Sequence, residues 1–334
     1  MKAITCASYY GTGSSAVTDF IAEFDGVKSL TDFEFRFAHD PDGLSELEYN
    51  VVENFNRHNS GHALKRYQKL VDYNCAHFLA PRYDPFFHGQ WKKLSYEYLE
   101  KLTRFTFPGS WQYDYYDEGP WFEFWHKLPN RLYNRLLHKQ SESTFGAMKN
   151  CMTHAAYLTE EEFLTHTRAY TDALLAAANP ENLPVIMLDQ LLPSSNIPRH
   201  MRYFTNLQAV VVDRDPRDQY LLGKYVWNSE IIPKDIDTFC QWYGYCRATR
   251  GTEVWDEKKV KLIQFEDLIY RYEQTTWELM AWLGLDESQH KRPRQIFNPD
   301  VSIKNTRLWE QNPAYRQEAE EIARRLPEYL YEPA

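Results

Sequence analysis

Ala3-Ile4-Thr5-Cys6-Ala7-Ser8-Tyr9-Tyr10-Gly11-Thr12-Gly13-Ser14-Ser15 is the stretch whose reading decides the fold. Residues 3–8 form a short apolar run of strand type, and Gly11 and Gly13 supply a tight turn. Beyond them Val17, Phe20, Ile21 and Phe24 recur on one helical face. The unit is strand, tight loop, helix. Two glycines let the backbone approach an anion, and the N–H groups and dipole of a helix start attract it. Ser14 and Ser15 add hydroxyl donors. A nucleotide loop of the form GxxxxGK[ST] is absent, because no Gly-Lys follows, so kinase or NTPase chemistry is disfavoured. The dinucleotide pattern GxGxxG is met by Gly11 and Gly13, with Ala16 as the third small residue. It also asks for an acid roughly 20 positions on, which Asp32 and Glu34 nearly supply. A glycine turn with serine caps and no ligand accounts for the stretch equally well.

Outward from that unit, residues 33–37 read Phe-Glu-Phe-Arg-Phe and alternate strictly, which predicts a second strand. Phe33, Phe35 and Phe37 share one side, Glu34 and Arg36 the other. Compact apolar runs at 184–188, 208–212 and 260–265 are of the kind found in a parallel sheet covered on both faces. Helical patterns separate them. One at 277–283 closes at Gly284, and another covers 315–326. The expectation is an α/β fold with a central parallel sheet of about five strands flanked by helices and joined by right-handed crossovers. A long, mostly helical insertion is expected over 44–180, within one domain spanning 1–334. It carries an aromatic stretch from Trp111 to Trp125 between the breaks Pro108-Gly109 and Gly119-Pro120.

The bulk numbers remove several classes. The chain has 334 residues and a net charge of −9. Its pI near 5.7 argues against nucleic acid as a partner, since binding there needs a basic footprint. Five cysteines without a CxxC pair read as reduced thiols, not a disulfide framework or zinc site. His126, His138, His154 and His166 lack ligand spacing, so no metal is expected. Neither a signal peptide nor a transmembrane run is visible, and a cytoplasmic location is expected.

A second element stands at 213–218, Asp-Arg-Asp-Pro-Arg-Asp, after the fourth strand run. Pro216 ends the strand and leaves Arg214 at the carboxyl edge of the sheet, where open α/β folds bind ligands. An arginine there can grip a phosphate with its guanidinium fork. The alternative is a surface arginine paired with Asp213, Asp215 or Asp218.

Together the two elements resemble the PAPS-dependent sulfotransferases, which use 3'-phosphoadenosine-5'-phosphosulfate as donor. Members carry Pro-Lys-Ser-Gly-Thr-Thr in the first loop, matched here by Tyr10-Gly11-Thr12-Gly13-Ser14-Ser15. They carry Arg-Asn/Asp-Pro-x-Asp later, matched by Arg214-Asp215-Pro216-Arg217-Asp218. Gln264-Phe265-Glu266-Asp267-Leu268 followed by Trp282-Leu283-Gly284 is similar to a third family segment. Ser302-Ile303-Lys304-Asn305-Thr306-Arg307-Leu308-Trp309 is similar to its C-terminal basic loop. The likeness covers about 1–37 and 184–330, and in the segment between them extends only to a loose similarity to bacterial surface-polysaccharide members.

The resemblance implies a P-loop NTPase-like sulfotransferase fold and sulfuryl transfer from PAPS to a hydroxyl, with PAP released and no metal. Gly11, Thr12, Gly13, Ser14 and Ser15 would cradle the 5'-phosphosulfate. Arg214 would grip the 3'-phosphate with Lys304 and Asn305. Two positions depart from the family: its loop Lys aligns with Gly11, and its phosphate-binding Ser with Leu222. Lys304, Arg307 or Arg217 would then have to supply the missing contacts. Glu34 and Asp189 lead as general base, with His39, Asp40 and Gln190 also near, and Arg36 would act electrostatically. Glu266 and Asp267 read as helix caps and ion-pair partners. The acceptor expected is a glycan, glycolipid or other lipid hydroxyl, held by the aromatic stretch. An NAD(P)-dependent oxidoreductase and a non-catalytic nucleotide-binding protein are the competing readings.

Overall fold

A computed structural model describes residues 1–75, 82–136 and 150–332. Five strands build its central sheet: β1 (Lys2–Ser8), β2 (Val27–Glu34), β5 (Val185–Asp189), β6 (Leu207–Asp213) and β7 (Val260–Gln264). Their order is β2-β5-β1-β6-β7, and every neighbouring pair is parallel. A separate antiparallel pair joins β3 (Phe105–Ser110) to β4 (Asn150–Ala155). The α/β architecture and the central parallel sheet are as expected.

Side-chain alternation explains why the sheet is covered on both faces. Ile4, Cys6, Met187, Val210 and Val212 enter one core, with α1 (Ser14–Ile21) packed on it. Ala3, Ala7, Ile186, Leu188, Ala209 and Val211 enter the other. That second core is closed by α2 (Arg57–Tyr73), α3 (Trp91–Leu102) and, past α4 (Asp114–Glu118) and α5 (Pro120–Leu136), by α6 (Glu160–Ala178). Strands buried on both sides must be apolar at consecutive positions, which is what the sequence runs display. Downstream, α7 (Pro216–Leu221) follows β6, α8 (Ile236–Cys246) precedes β7, and α9 (Tyr272–Leu283) ends at Gly284 with φ 59°. The last long helix is α10 (Arg316–Arg325).

Two expectations need correction. The strand predicted at 33–37 lies earlier, at Val27–Glu34, with a register shift between Ser29 and Glu34. The alternation is real, but it serves burial instead of pairing. Phe35 and Phe37 leave the sheet to pack on Tyr83, Phe87 and Trp91, and Phe35 keeps one bond, its N–H donating to the Asp189 carbonyl at 2.9 Å. The 44–180 segment is mostly helical but also holds the β3–β4 pair. Its Pro108-Gly109 break lies inside β3, where a two-stranded edge tolerates proline. His138 lies outside the described residues.

Candidate active site

All five strands of the sheet deliver a residue at or just past their carboxyl ends to one cleft of about 430 Å³: Ser8, Glu34, Asp189, Arg214 and Phe265. Strand polarity alone makes this edge the place where loops converge. The turn from β1 to α1 forms its floor. Gly11 and Gly13 adopt φ 82° and 100°, which only glycine does without strain. A Cβ on Gly13 would stand 2.5 Å from the Phe265 ring, and one on Gly11 2.8 Å from Trp227. Thr12 does not line the cleft. It is fully buried, takes a bond from the Tyr9 N–H at 3.1 Å and donates to the Val212 carbonyl at 2.6 Å. Thr12 therefore ties the turn to β6 and sets where the glycines stand.

Arg214 is the cation of the cleft among the described lining residues. Its side chain is buried, lies over the Phe265 ring with 4.2 Å from Cζ to the ring centroid, and donates through Nη2 to the Asn305 carbonyl. Nε is buried without a hydrogen-bond partner among the described residues. The pairing read as an alternative goes to other arginines. Asp213 binds Arg247 at 2.6 Å and Arg250, while Asp215 binds Arg217 at 2.5 Å. Arg214 is thus held by stacking and by one carbonyl, with donor capacity left over, as an anion site requires.

Three acids, Asp19, Glu34 and Asp189, line the same cleft. Burial, reinforced by the charge of Glu34, pushes the Asp189 carboxyl up to about 7, against a 3.3 Å bond from the Ser14 hydroxyl. Its Oδ1 is buried without a hydrogen-bond partner among the described residues. Gln190, at φ 59°, donates to Ser8 Oγ at 2.9 Å and Ser14 Oγ at 3.3 Å, locking the β5 end to the glycine turn. Behind Arg214, burial pushes Glu266 up to about 8 and Asp218 up to about 6, against the pull of Arg214 on both. Glu266 places no side-chain cap on its helix and instead accepts the Asp215 N–H at 3.0 Å, which corrects its reading as a cap. Asp267 does form its ion pair, with Arg271 at 2.6 Å.

The structure brings together Gly11, Gly13, Ser14, Ser15, Glu34, Asp189, Arg214 and Asn305. It leaves Lys304, Arg217 and Arg307 off the cleft lining. Lys304 is exposed. Arg217 stacks on Trp309 at 4.0 Å, and Arg307 lies over Tyr270 at 4.8 Å while its N–H is held by Asp218. Leu222 is buried in the helical core around α7, and Ser302 from the C-terminal loop supplies a hydroxyl in the cleft. Arg36 faces a second cavity of about 870 Å³ and is bonded to Asp40 at 2.8 Å. That cavity shares Ser8, Gly11, Glu34 and Trp227 with the first. Its aromatic faces are Tyr10, Trp227 and Tyr245; none of the stretch from Trp111 to Trp125 lines it. His39 also lines it, kept neutral by burial, which lowers it to about 4. Sequence reasoning missed Trp227, Phe265 as a platform, and Glu266. An acid directly after an apolar strand run was the available signal for the last.

No protein-family model matches the chain, and no curated protein does. Among solved structures it is similar to the sulfotransferase STF1 of Mycobacterium tuberculosis H37Rv, at 12% identity and a TM-score of 0.35, covering 92% of this chain and 76% of that one. A likeness that distant does not bear on the activity of this chain.

Proposed function

We propose that this protein is a sulfotransferase that moves a sulfuryl group from PAPS to a hydroxyl acceptor and releases PAP. One observation carries the reading: the glycine turn at the start of α1 and the half-satisfied Arg214 line the same cleft, with Asp189 beside them. The N–H groups of the turn and the hydroxyls of Ser14 and Ser15 would hold the 5'-phosphosulfate. Arg214 would take the 3'-phosphate, the Phe265 face keeping its fork in plane. The acceptor oxygen attacks sulfur as the bond from sulfur to the 5'-phosphate oxygen breaks. The hydroxyl proton passes to Asp189, and the electron pair leaves with PAP. A carboxyl near 7 suits a base working at neutral pH. The loop carries no lysine at Gly11, so the leaving charge falls on the N–H groups of the turn and the hydroxyls of Ser14 and Ser15.

The larger cavity is the natural acceptor room. It offers the rings of Tyr10, Trp227 and Tyr245 together with the hydroxyls of Ser194, Ser195 and Thr249, a lining suited to the faces and hydroxyls of a sugar. A glycan or glycolipid hydroxyl is the acceptor we favour. The dinucleotide reading meets an obstacle in the sheet order. That fold sets β2 beside β1, so that the acid ending β2 reaches the ribose; here β5 lies between them. Thermal unfolding with PAP, NAD and ATP in parallel tests the proposal, because only a ligand of the native state raises the midpoint. PAP alone should do so. Stabilisation by NAD without PAP overturns the reading, and PAP binding without turnover of any hydroxyl acceptor points to a binding protein.

A further inference from the structure

Helix α5 carries an apolar face that stands exposed among the described residues. Trp121 is 74% exposed, Trp125 63% and Leu136 75%, and Phe124 and Leu132 are exposed as well. At 3.6 residues per turn these five positions fall within an arc of about 120°. Just past one margin of the arc, Phe122 meets Tyr115 of α4 at 6.0 Å between centroids. Exposed aromatic side chains singly would mean nothing. Aligned along one helix, they make a continuous patch of the sort that marks an interaction surface.

Charge identifies what covers it. Lys127 and Arg131 stand on one flank of the arc and Arg135 just inside its edge, recurring every fourth residue. With Glu123 the one acid of the helix, α5 carries three bases less one acid, a net +2, in a chain of net −9. Rings and aliphatic groups bordered by cations match the boundary between headgroups and acyl chains, where Trp settles and Lys or Arg reach anionic phosphates. We infer that α5 is a membrane-surface helix that seats this protein on an anionic lipid bilayer, Trp121 and Trp125 inserted and the basic flank on the headgroups. The surface is independent of the proposed chemistry, since no residue of α5 lines the cleft or the larger cavity.

Co-sedimentation of the full chain with vesicles tests it. Equimolar phosphatidylglycerol and phosphatidylcholine should retain the protein, phosphatidylcholine alone at least about tenfold less, and added salt should release it. Trp121→Ala with Trp125→Ala should weaken binding by about tenfold or more. Lys127→Gln, Arg131→Gln and Arg135→Gln together should weaken it roughly a hundredfold. Brominated lipid should quench wild-type tryptophan fluorescence, a readout that stands if a variant misfolds. The inference is overturned by equal retention of wild type and the double tryptophan variant, by no retention on either vesicle, or by dimerisation that the tryptophan substitutions abolish while quenching is absent.

Discussion

Two buried polar clusters in this molecule are built on opposite plans. Inside the helical segment, Tyr170 exchanges a 2.7 Å bond with Ser95 and receives one from Tyr67 at 3.2 Å, and Tyr98 meets Thr167 at 2.8 Å. At the sheet edge, Asp189 Oδ1 and Arg214 Nε are buried in the cleft wall without a hydrogen-bond partner among the described residues. Buried polar groups are normally paired, because an orphan costs about 1–3 kcal/mol. The first cluster stabilises a fold and asks nothing of solvent. The second holds capacity in reserve for something that is not protein. The contrast separates residues kept for stability from residues kept for a ligand, and each experiment below tests one side of it.

The largest effect is expected at Arg214. Arg214→Ala should weaken PAP binding by roughly a hundredfold or more, by loss of two or more charge-assisted bonds of about 1.5–3 kcal/mol each. Glu266→Ala should change it far less, as calorimetry would read; equal losses would erase the distinction drawn between them. Gly13→Ala comes next. Its Cβ meets Phe265 at 2.5 Å at a φ of 100°, so stability should fall by about 1–3 kcal/mol in urea unfolding, and PAP affinity should fall with it as the platform under Arg214 shifts. Tyr170→Phe should cost a similar or smaller amount, about 1–2 kcal/mol, yet leave PAP affinity unchanged. An effect on binding there would blur the two plans.

Smaller shifts should follow pH. Asp189 stands near 7 against an ordinary 3.8, so it gains charge beside the bound anion between pH 6 and 8. PAP affinity should drop by several-fold, up to about tenfold, over that range, and Asp189→Asn should flatten the profile in calorimetry. Stability follows the same sign. A carboxyl whose folded value is raised stabilises the fold fully below its unfolded value and loses that contribution as pH climbs through the folded one. For Glu266 the window runs from 4.5 to about 8. The melting midpoint should therefore fall from pH 6 to 8, and Glu266→Gln should make the fall shallower.

Much of the sheet was legible because strands buried on both faces have little freedom in composition. The runs that became β1, β5, β6 and β7 could hardly be anything else. β2 was misplaced because Val27–Glu34 is polar and irregular at an edge, while the neighbouring phenylalanines mimic a strand for reasons of burial. β3 and β4 were hidden by a proline, a glycine and a separation of some forty residues between partners. At the site, the glycine turn, Glu34, Asp189 and Arg214 were readable from position relative to strand ends, and Asn305 only through the family resemblance. Lys304, Arg217 and Arg307 were not, since a cation's charge says nothing of which aromatic face or carboxylate captures it first. Trp227 was invisible for a related reason: its role depends on a contact with Gly11 across 216 positions.

That contact has a historical consequence. With the Trp227 indole seated where a Cβ of residue 11 would lie, the two sites are locked into a single inheritable choice. Placing a lysine at 11 alone would drive a side chain into the indole, and shrinking Trp227 alone would open a wall that both chambers share. Neither step is neutral by itself, so a descendant of this sequence gains a charged residue at 11 only by changing both positions.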